Sequence, residues 1–108
     1  MKFKRILELI LILIILIYLA RITDNLAAKN IDGKLERENG KIIGADSFYY
    51  DINSTKSVLL LHGFGANPYS LIELGNFLSM QGFNVYAPLL PGHGTSAFDM
   101  EKYSWQDW

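Results

Sequence analysis

Two glycine-containing loops carry the residues of this sequence that are best suited to chemistry. The first, His62–Gly65 (His-Gly-Phe-Gly), follows the short apolar run Ser57–Leu61. The second, Pro91–Ser96 (Pro-Gly-His-Gly-Thr-Ser), follows the apolar segment Asn84–Pro88. Glycines around one bulky residue allow a sharp backbone turn, and an outward N–H group in such a turn can hydrogen-bond a developing oxyanion. Considered alone, the first loop also fits a tight turn with a structural histidine.

The segments around these loops predict a strand–helix–strand unit of an α/β fold. Ser57–Leu61 is continuously apolar, which is typical of a strand that is buried on both faces of a parallel sheet. Asn67 and Pro68 suit the N-cap and the first position of a helix, and Gly82 suits its C-terminal cap. Asn84–Pro88 is the next predicted strand. Because ligands bind at the carboxyl ends of strands in doubly wound sheets, both loops lie where a site is expected.

Two further features concern the packing of the same domain. Ser47–Ile52 is rich in aromatic residues and is predicted to be a strand. Gly75 lies among leucines on the apolar face of the predicted helix, so we expect this helix to approach the sheet closely.

The N-terminal segment has the features of a membrane anchor. Residues 6–22 are apolar apart from Glu8 and one arginine near the end, and they follow a basic stretch, residues 1–5. A helix with isoleucine and leucine on all faces has no polar side for water, which favours a transmembrane helix in the lipid bilayer. The cations before it predict a single-pass protein whose N-terminus is cytoplasmic. The rest of the chain, a stalk at 23–43 and a domain at 44–108, is then predicted to lie outside. A cleaved signal peptide, which would give a secreted protein, is the alternative, although the expected small-x-small exit is poor.

Composition excludes several classes of function. The 108 residues include 10 basic and 11 acidic side chains, a net charge of −1, which excludes a strongly basic nucleic-acid-binding protein. The lack of cysteine excludes a disulfide scaffold, a thiol enzyme and a cysteine-ligated metal site. The two histidines do not have metal-ligand spacing, and we find no phosphate-binding or dinucleotide-binding motif. We therefore predict no metal, no cofactor and no nucleic-acid partner.

In order and context, the two loops and the elements between them resemble the N-terminal part of the α/β-hydrolase fold. The resemblance covers Ile43–Trp108 and is closest to the group of monoacylglycerol lipases, carboxylesterases and lysophospholipases, also called the serine aminopeptidase S33 group. It implies a doubly wound, mostly parallel sheet, preceded here by one transmembrane or signal-anchor helix. It also implies that the Phe64 N–H is the first half of an oxyanion hole and that the Phe64 ring lines the acyl pocket. It further implies a structural part for the other loop residues, which are His62, Gly63, Gly65, Pro91, Gly92, His93 and Gly94.

The nucleophile of this family is not found in the sequence. The fold places a serine in a Gly-x-Ser-x-Gly turn, followed along the chain by an acid and then a histidine. The motif at Ser96 begins like this turn but ends in Phe98, and it lies before the expected strand-to-helix elbow, so we reject Ser96 as the nucleophile. The triad is therefore expected beyond residue 108, and this chain alone is expected to be inactive.

Three functional hypotheses follow. The first is the N-terminal piece of a membrane-anchored serine hydrolase that acts on carboxylic esters, such as acylglycerols or lysophospholipids. The second is a small, non-enzymatic, membrane-anchored protein from a truncated gene. The third keeps the fold and changes the chemistry to that of a peptidase, an epoxide hydrolase or a dehalogenase, which the elbow residue would distinguish.

Overall fold

The computed structural model describes residues 2–108 and begins with one long helix. This helix, α1, spans Lys2–Asp32 and is about 46 Å long at the usual helical rise. By length and composition it can cross a membrane, a property that it shares with signal sequences near an N-terminus. It includes the predicted span 6–22 and continues through residues 23–32 of the predicted stalk. Residue 1 of the predicted basic end lies outside the described residues.

After α1, a second compact unit spans Leu35–Trp108. It opens with an antiparallel hairpin of β1 (Arg37–Glu38) and β2 (Lys41–Ile42). The turn residues Asn39–Gly40 have φ values of 51° and 81°. This pair of left-handed conformations is the one that Asn-Gly favours in a two-residue hairpin turn. The compact unit thus begins before residue 44, where the sequence predicted the start of the domain.

The central sheet has three strands. They are β3 (Phe48–Tyr50), β4 (Ser57–Leu59) and β5 (Asn84–Ala87), and β5 lies in the middle. β5 pairs in parallel with β4 and antiparallel with β3. The strand–helix–strand prediction and the aromatic strand are confirmed. A mostly parallel sheet stays a prediction, because residues 2–108 contribute one parallel and one antiparallel pair to this sheet.

The helix between β4 and β5 begins and ends as the sequence predicts. The side-chain oxygen of Asn67 accepts a backbone N–H two residues later at 3.0 Å. Proline then opens a short 3₁₀ helix, Pro68–Leu71, which continues as α2 (Ile72–Met80). Gly82 follows the helix with a φ of 90°, a conformation that favours glycine and ends the helix.

α2 packs on one face of the sheet through Gly75. A Cβ at this position would lie 2.7 Å from the ring of Phe48 and 3.3 Å from that of Tyr50. Val85 and Ala87 of β5 are completely buried on the same face. The predicted close approach is confirmed, and the core of this unit lies between α2 and the sheet.

The opposite face of the sheet is exposed. Tyr49, Tyr86 and Leu59 lie side by side across the three strands, and they are 57%, 45% and 59% exposed. The prediction that Ser57–Leu61 is buried on both faces is therefore wrong for this structure. α2 covers one face, whereas the side chains on the other face are open to solvent in the described part of the chain.

Two short helical segments follow β5. α3 spans Ala97–Met100, and the side chain of Ser96 caps it by accepting a backbone N–H at 3.1 Å. The last segment is a 3₁₀ turn, Trp105–Asp107. The carboxylate of Asp107 caps it by accepting the Ser104 N–H at 2.7 Å.

Candidate functional site

The two predicted loops meet beyond the carboxyl ends of β4 and β5. Their histidines make the contact: the ring centroids of His62 and His93 lie 4.9 Å apart. Both rings are buried, with 5% and 4% of their surface exposed. Residues that are thirty-one positions apart in the sequence thus form one cluster, because β4 and β5 are parallel neighbours whose ends lie at the same sheet edge.

Backbone groups engage both ring nitrogens of His62. Nε2 accepts the Leu90 N–H at 3.1 Å. In a neutral ring the proton is then on Nδ1, which donates to the Gly63 carbonyl at 3.1 Å. His62 therefore connects the first loop to the second, and neither nitrogen remains for proton abstraction.

His93 uses only one of its ring nitrogens within the described residues. Nδ1 lies 3.1 Å from the Pro91 carbonyl oxygen, which can only accept, so Nδ1 carries a proton. Nε2 is buried and has no hydrogen-bond partner among residues 2–108. The rings of His62, Phe64 and Trp108 neighbour the His93 ring, with centroid-to-centroid distances of 4.9, 6.2 and 5.2 Å.

Phe64 presents its ring to solvent beside this buried cluster. It is 75% exposed, and its ring centroid lies 5.7 Å from that of Trp108. Within residues 2–108, no hydrogen bond engages the Phe64 N–H. An exposed apolar ring can contact an acyl chain. The available N–H beside it can donate a hydrogen bond to the carbonyl oxygen of that acyl group as the oxygen gains negative charge.

Backbone conformation distinguishes the glycines of the two loops. Gly65, Gly92 and Gly94 have φ values of 70°, 75° and 71°, in the left-handed region that favours glycine. Gly92 is also sterically confined, since a Cβ there would lie 2.5 Å from the Tyr103 ring. Gly63 has no positive φ, and a Cβ there would have no heavy atom within 4 Å. The requirement for glycine is therefore much stronger at the other three positions.

The β1–β2 hairpin holds the second loop, although the sequence placed these residues in the predicted stalk. Arg37 Nε donates to the Thr95 carbonyl at 2.8 Å, and the Ile42 N–H donates to the Gly94 carbonyl at 2.7 Å. Sequence reasoning missed this contact. The signal that could have found the hairpin is the Asn39–Gly40 dipeptide, which is typical of hairpin turns.

Trp108 is a second site residue that sequence reasoning missed. Its indole Nε1–H donates to the Pro91 carbonyl at 3.0 Å, the same oxygen that faces His93 Nδ1. The preceding turn is ordered by the Asp107 carboxylate. Hydrogen bonds from the backbone N–H and hydroxyl of Ser104 lower the pKa of Asp107 below its ordinary value.

Three other polar side chains near the second loop, those of Ser96, Asp99 and Lys102, have structural partners. Lys102 lies 2.6 Å from Asp99; this hydrogen bond lowers the pKa of Asp99 and raises that of Lys102. The hydroxyl of Ser96 serves as the helix cap described above. In the part of the chain that the structure describes, no group of three histidine, aspartate or glutamate side chains is arranged to hold a metal ion.

Known proteins similar to this chain are lipolytic enzymes and esterases. The thermostable monoacylglycerol lipase of Bacillus sp. (strain H-257) is 42% identical over 65 residues, which is 60% of this chain and 26% of that protein. A carboxylesterase of Bacillus subtilis (strain 168) is 38% identical over 53 residues, 49% of this chain and 22% of that protein. A chain in a solved structure of LipS and LipT, described as metagenome-derived lipolytic enzymes, is 35% identical with a TM-score of 0.57; the match covers 61% of this chain and 26% of that one. No family model matches the chain.

These similarities support a relationship with the α/β hydrolases. The chain spans about a quarter of the length of the curated relatives that it matches, with 26% and 22% covered.

Proposed function

We propose that this chain is the N-terminal piece of a serine hydrolase of the monoacylglycerol lipase, carboxylesterase and lysophospholipase (S33) group. The parent protein would act on carboxylic esters such as acylglycerols. The observation that carries the proposal is the first loop: an exposed Phe64 with an unengaged N–H, fixed at a strand end by His62. Similarity to a lipase and a carboxylesterase supports the choice of ester chemistry.

In this proposal Phe64 and Trp108 have defined parts in ester hydrolysis. The Phe64 N–H donates to the ester carbonyl oxygen as that oxygen gains negative charge. The rings of Phe64 and Trp108 contact the acyl chain. The nucleophile, the acid and the base lie beyond residue 108, and the 108-residue chain is inactive without them.

We also propose that residues 6–22 of α1 anchor the protein in the lipid bilayer. Its length and apolar composition support an anchor, and Lys4 and Arg5 before the apolar run favour a cytoplasmic N-terminus with Leu35–Trp108 outside. An anchor would keep the site close to lipid esters. Reporter fusions at Trp108 test the orientation. A reporter that works only outside the cytoplasm should be active, whereas activity of a reporter that works only in the cytoplasm would contradict the proposed orientation.

The test of the hydrolase proposal is a segment exchange. Residues 35–108, the compact unit that includes the hairpin, replace the corresponding segment of the thermostable monoacylglycerol lipase, and hydrolysis of a p-nitrophenyl ester is measured. We expect an active chimera. Phe64→Pro, which removes the N–H donor, should lower kcat about 10²- to 10³-fold. Phe64→Ala is the matched control, because it keeps the donor and loses only the ring.

Two outcomes would contradict this proposal. Equal activity of the folded Phe64→Pro and Phe64→Ala chimeras would exclude the Phe64 N–H as an oxyanion donor. Ester turnover by the purified 108-residue chain, abolished by Ser96→Ala, would show that the nucleophile lies within these residues and is Ser96.

A further inference from the structure

The outer side of α2 carries exposed apolar side chains that the site described above does not use. Leu74, Phe77 and Met80 are 46%, 59% and 84% exposed. Residues three apart are neighbours on a helix surface, so these side chains form one row, the α2 stripe. Phe77 lies about 160° around the helix axis from Gly75, the residue that faces the sheet. The α2 stripe therefore points away from the core.

The layers of an α/β fold account for the exposed face of the sheet but not for the α2 stripe. In a doubly wound fold, helices pack on both faces of the sheet, and the open face at Tyr49 is where a second helix layer belongs. The outer side of a helix layer faces water in such an arrangement. A neighbouring helix in the same layer covers the flank of α2 at Leu74 but does not reach Phe77, which is outermost. Adjacent exposed apolar side chains in this position are typical of an interaction surface.

The chain itself supplies a reason to expect lipid at this surface. α1 is long and apolar enough to cross a membrane, and it ends at Asp32, just before the compact unit begins at Leu35. With residues 6–22 in the bilayer, the helical residues 23–32 extend about 15 Å further. Because this connection is short, the compact unit has a high effective concentration at the lipid surface, and a small apolar area is enough for contact.

The charge of α2 restricts the kind of lipid and the depth of contact. Glu73 is the one charged residue of α2, and it lies one turn before Phe77 on the same side of the helix. A helix without cations is not attracted to anionic lipid, which favours a zwitterionic headgroup layer. Because a carboxylate is costly in hydrocarbon, the α2 stripe is expected to reach only the boundary between headgroups and acyl chains.

We propose that the α2 stripe lies on the surface of a zwitterionic bilayer while α1 spans that bilayer. Leu74, Phe77 and Met80 enter the headgroup layer, and Glu73 stays on its water side. The exposed sheet face at Tyr49, opposite α2, then points to water. The inference rests on the proposed anchor in residues 6–22 and does not depend on ester chemistry.

Site-directed spin labelling tests this contact on the complete 108-residue chain. The chain has no cysteine, so each introduced cysteine carries the only label. Phe77→Cys and Met80→Cys report on the α2 stripe, and Ile14→Cys reports on the anchor. Tyr49→Cys is the matched control for Phe77→Cys, because Tyr49 is 57% exposed and lies on the opposite face of the sheet. In phosphatidylcholine nanodiscs with one chain each, relaxation of the label by O₂, which concentrates in lipid, is compared with relaxation by a water-soluble nickel chelate.

We expect O₂ to dominate the relaxation of labels at Phe77, Met80 and Ile14, and the nickel chelate to dominate at Tyr49. Nickel access at Phe77 and Met80, with Ile14 in lipid, would overturn the inference and leave the anchor intact. Nickel access at Ile14 would refute the anchor and the inference that rests on it. Lipid access at Tyr49 as well as at Phe77 would show immersion without a preferred face and would also overturn the inference. Dipolar broadening between Phe77 labels in discs with two chains would identify a second copy as the occupant instead of lipid.

Discussion

Replacing His62 by phenylalanine should selectively expose the amide of Leu90. His62 Nε2 is the acceptor of the Leu90 N–H in this structure, at 3.1 Å, in a part-buried position. Phenylalanine fills most of the same volume and provides no acceptor. Glutamine is the matched control, because its side-chain oxygen can reach the position of Nε2 and accept the same N–H.

The expected magnitude follows from leaving one buried donor unpaired, which costs about 1–3 kcal/mol. Because Leu90 is part-buried, water can replace some of the lost bond, and we expect the lower half of that range. A cost near 1.4 kcal/mol corresponds to about a tenfold change in the opening equilibrium of the loop.

Amide hydrogen exchange measured by NMR gives this equilibrium residue by residue. In His62→Phe the Leu90 amide should exchange about tenfold faster than in the wild type. In His62→Gln it should stay within a few-fold of the wild-type rate. The Leu60 amide, which donates to the Tyr86 carbonyl at 2.8 Å within the sheet, reports any global loss of stability.

The reasoning would be refuted if His62→Phe left Leu90 protected as in the wild type. Equal loss of protection in both variants would also refute it, since the glutamine variant retains an acceptor. Faster exchange at Leu60 to the same extent would show general unfolding instead of a broken contact between the loops.

Three further predictions test other contacts. Gly65→Ala, at a φ of 70°, should cost about 1–2 kcal/mol in urea unfolding, whereas Gly63→Ala should stay within about 0.5 kcal/mol of the wild type. Gly75→Ala places a Cβ 2.7 Å from the Phe48 ring. Overpacking should lower the free energy of unfolding by about 1–3 kcal/mol, and the better helix propensity of alanine should offset about 1 kcal/mol of this loss. In a Phe48→Ala background the same substitution should become stabilising. The lowered pKa of Asp107 predicts that its cap contributes fully above the ordinary value of 3.8 and is lost as the pH falls through the lowered value. Tryptophan fluorescence should report this acid transition, and Asp107→Asn should remove it.

Local signals in the sequence predicted most of the elements correctly. The cap at Asn67, the proline that follows it and Gly82 specify the ends of a helix through bonds made within a few residues. The Gly75 contact was also predictable, because a glycine among leucines on one helix face has few other uses. The exposed face of the sheet was not predictable, since an apolar run such as Ser57–Leu61 does not reveal how many layers cover it.

The site was predicted where topology determines it and missed where long-range contacts do. Parallel neighbouring strands bring their carboxyl ends together, so the meeting of His62 and His93 follows from the order of elements. The contacts of Arg37 and Trp108 with the second loop have no such rule. Each depends on the path of a chain segment that is distant in sequence, and the polar residues of the hairpin at Arg37 are equally typical of a stalk.

The contacts that hold the first and second loops lie within residues 2–108. His62 connects the loops through the Leu90 amide, and the hairpin fixes the Gly94–Thr95 backbone. Trp108 holds the Pro91 carbonyl. None of these contacts involves a nucleophile, so the backbone of the two loops is fixed before any reacting group is present. Under the proposed function, this preorganisation is what an oxyanion donor requires, because a donor that must be reoriented during the reaction loses most of its catalytic advantage.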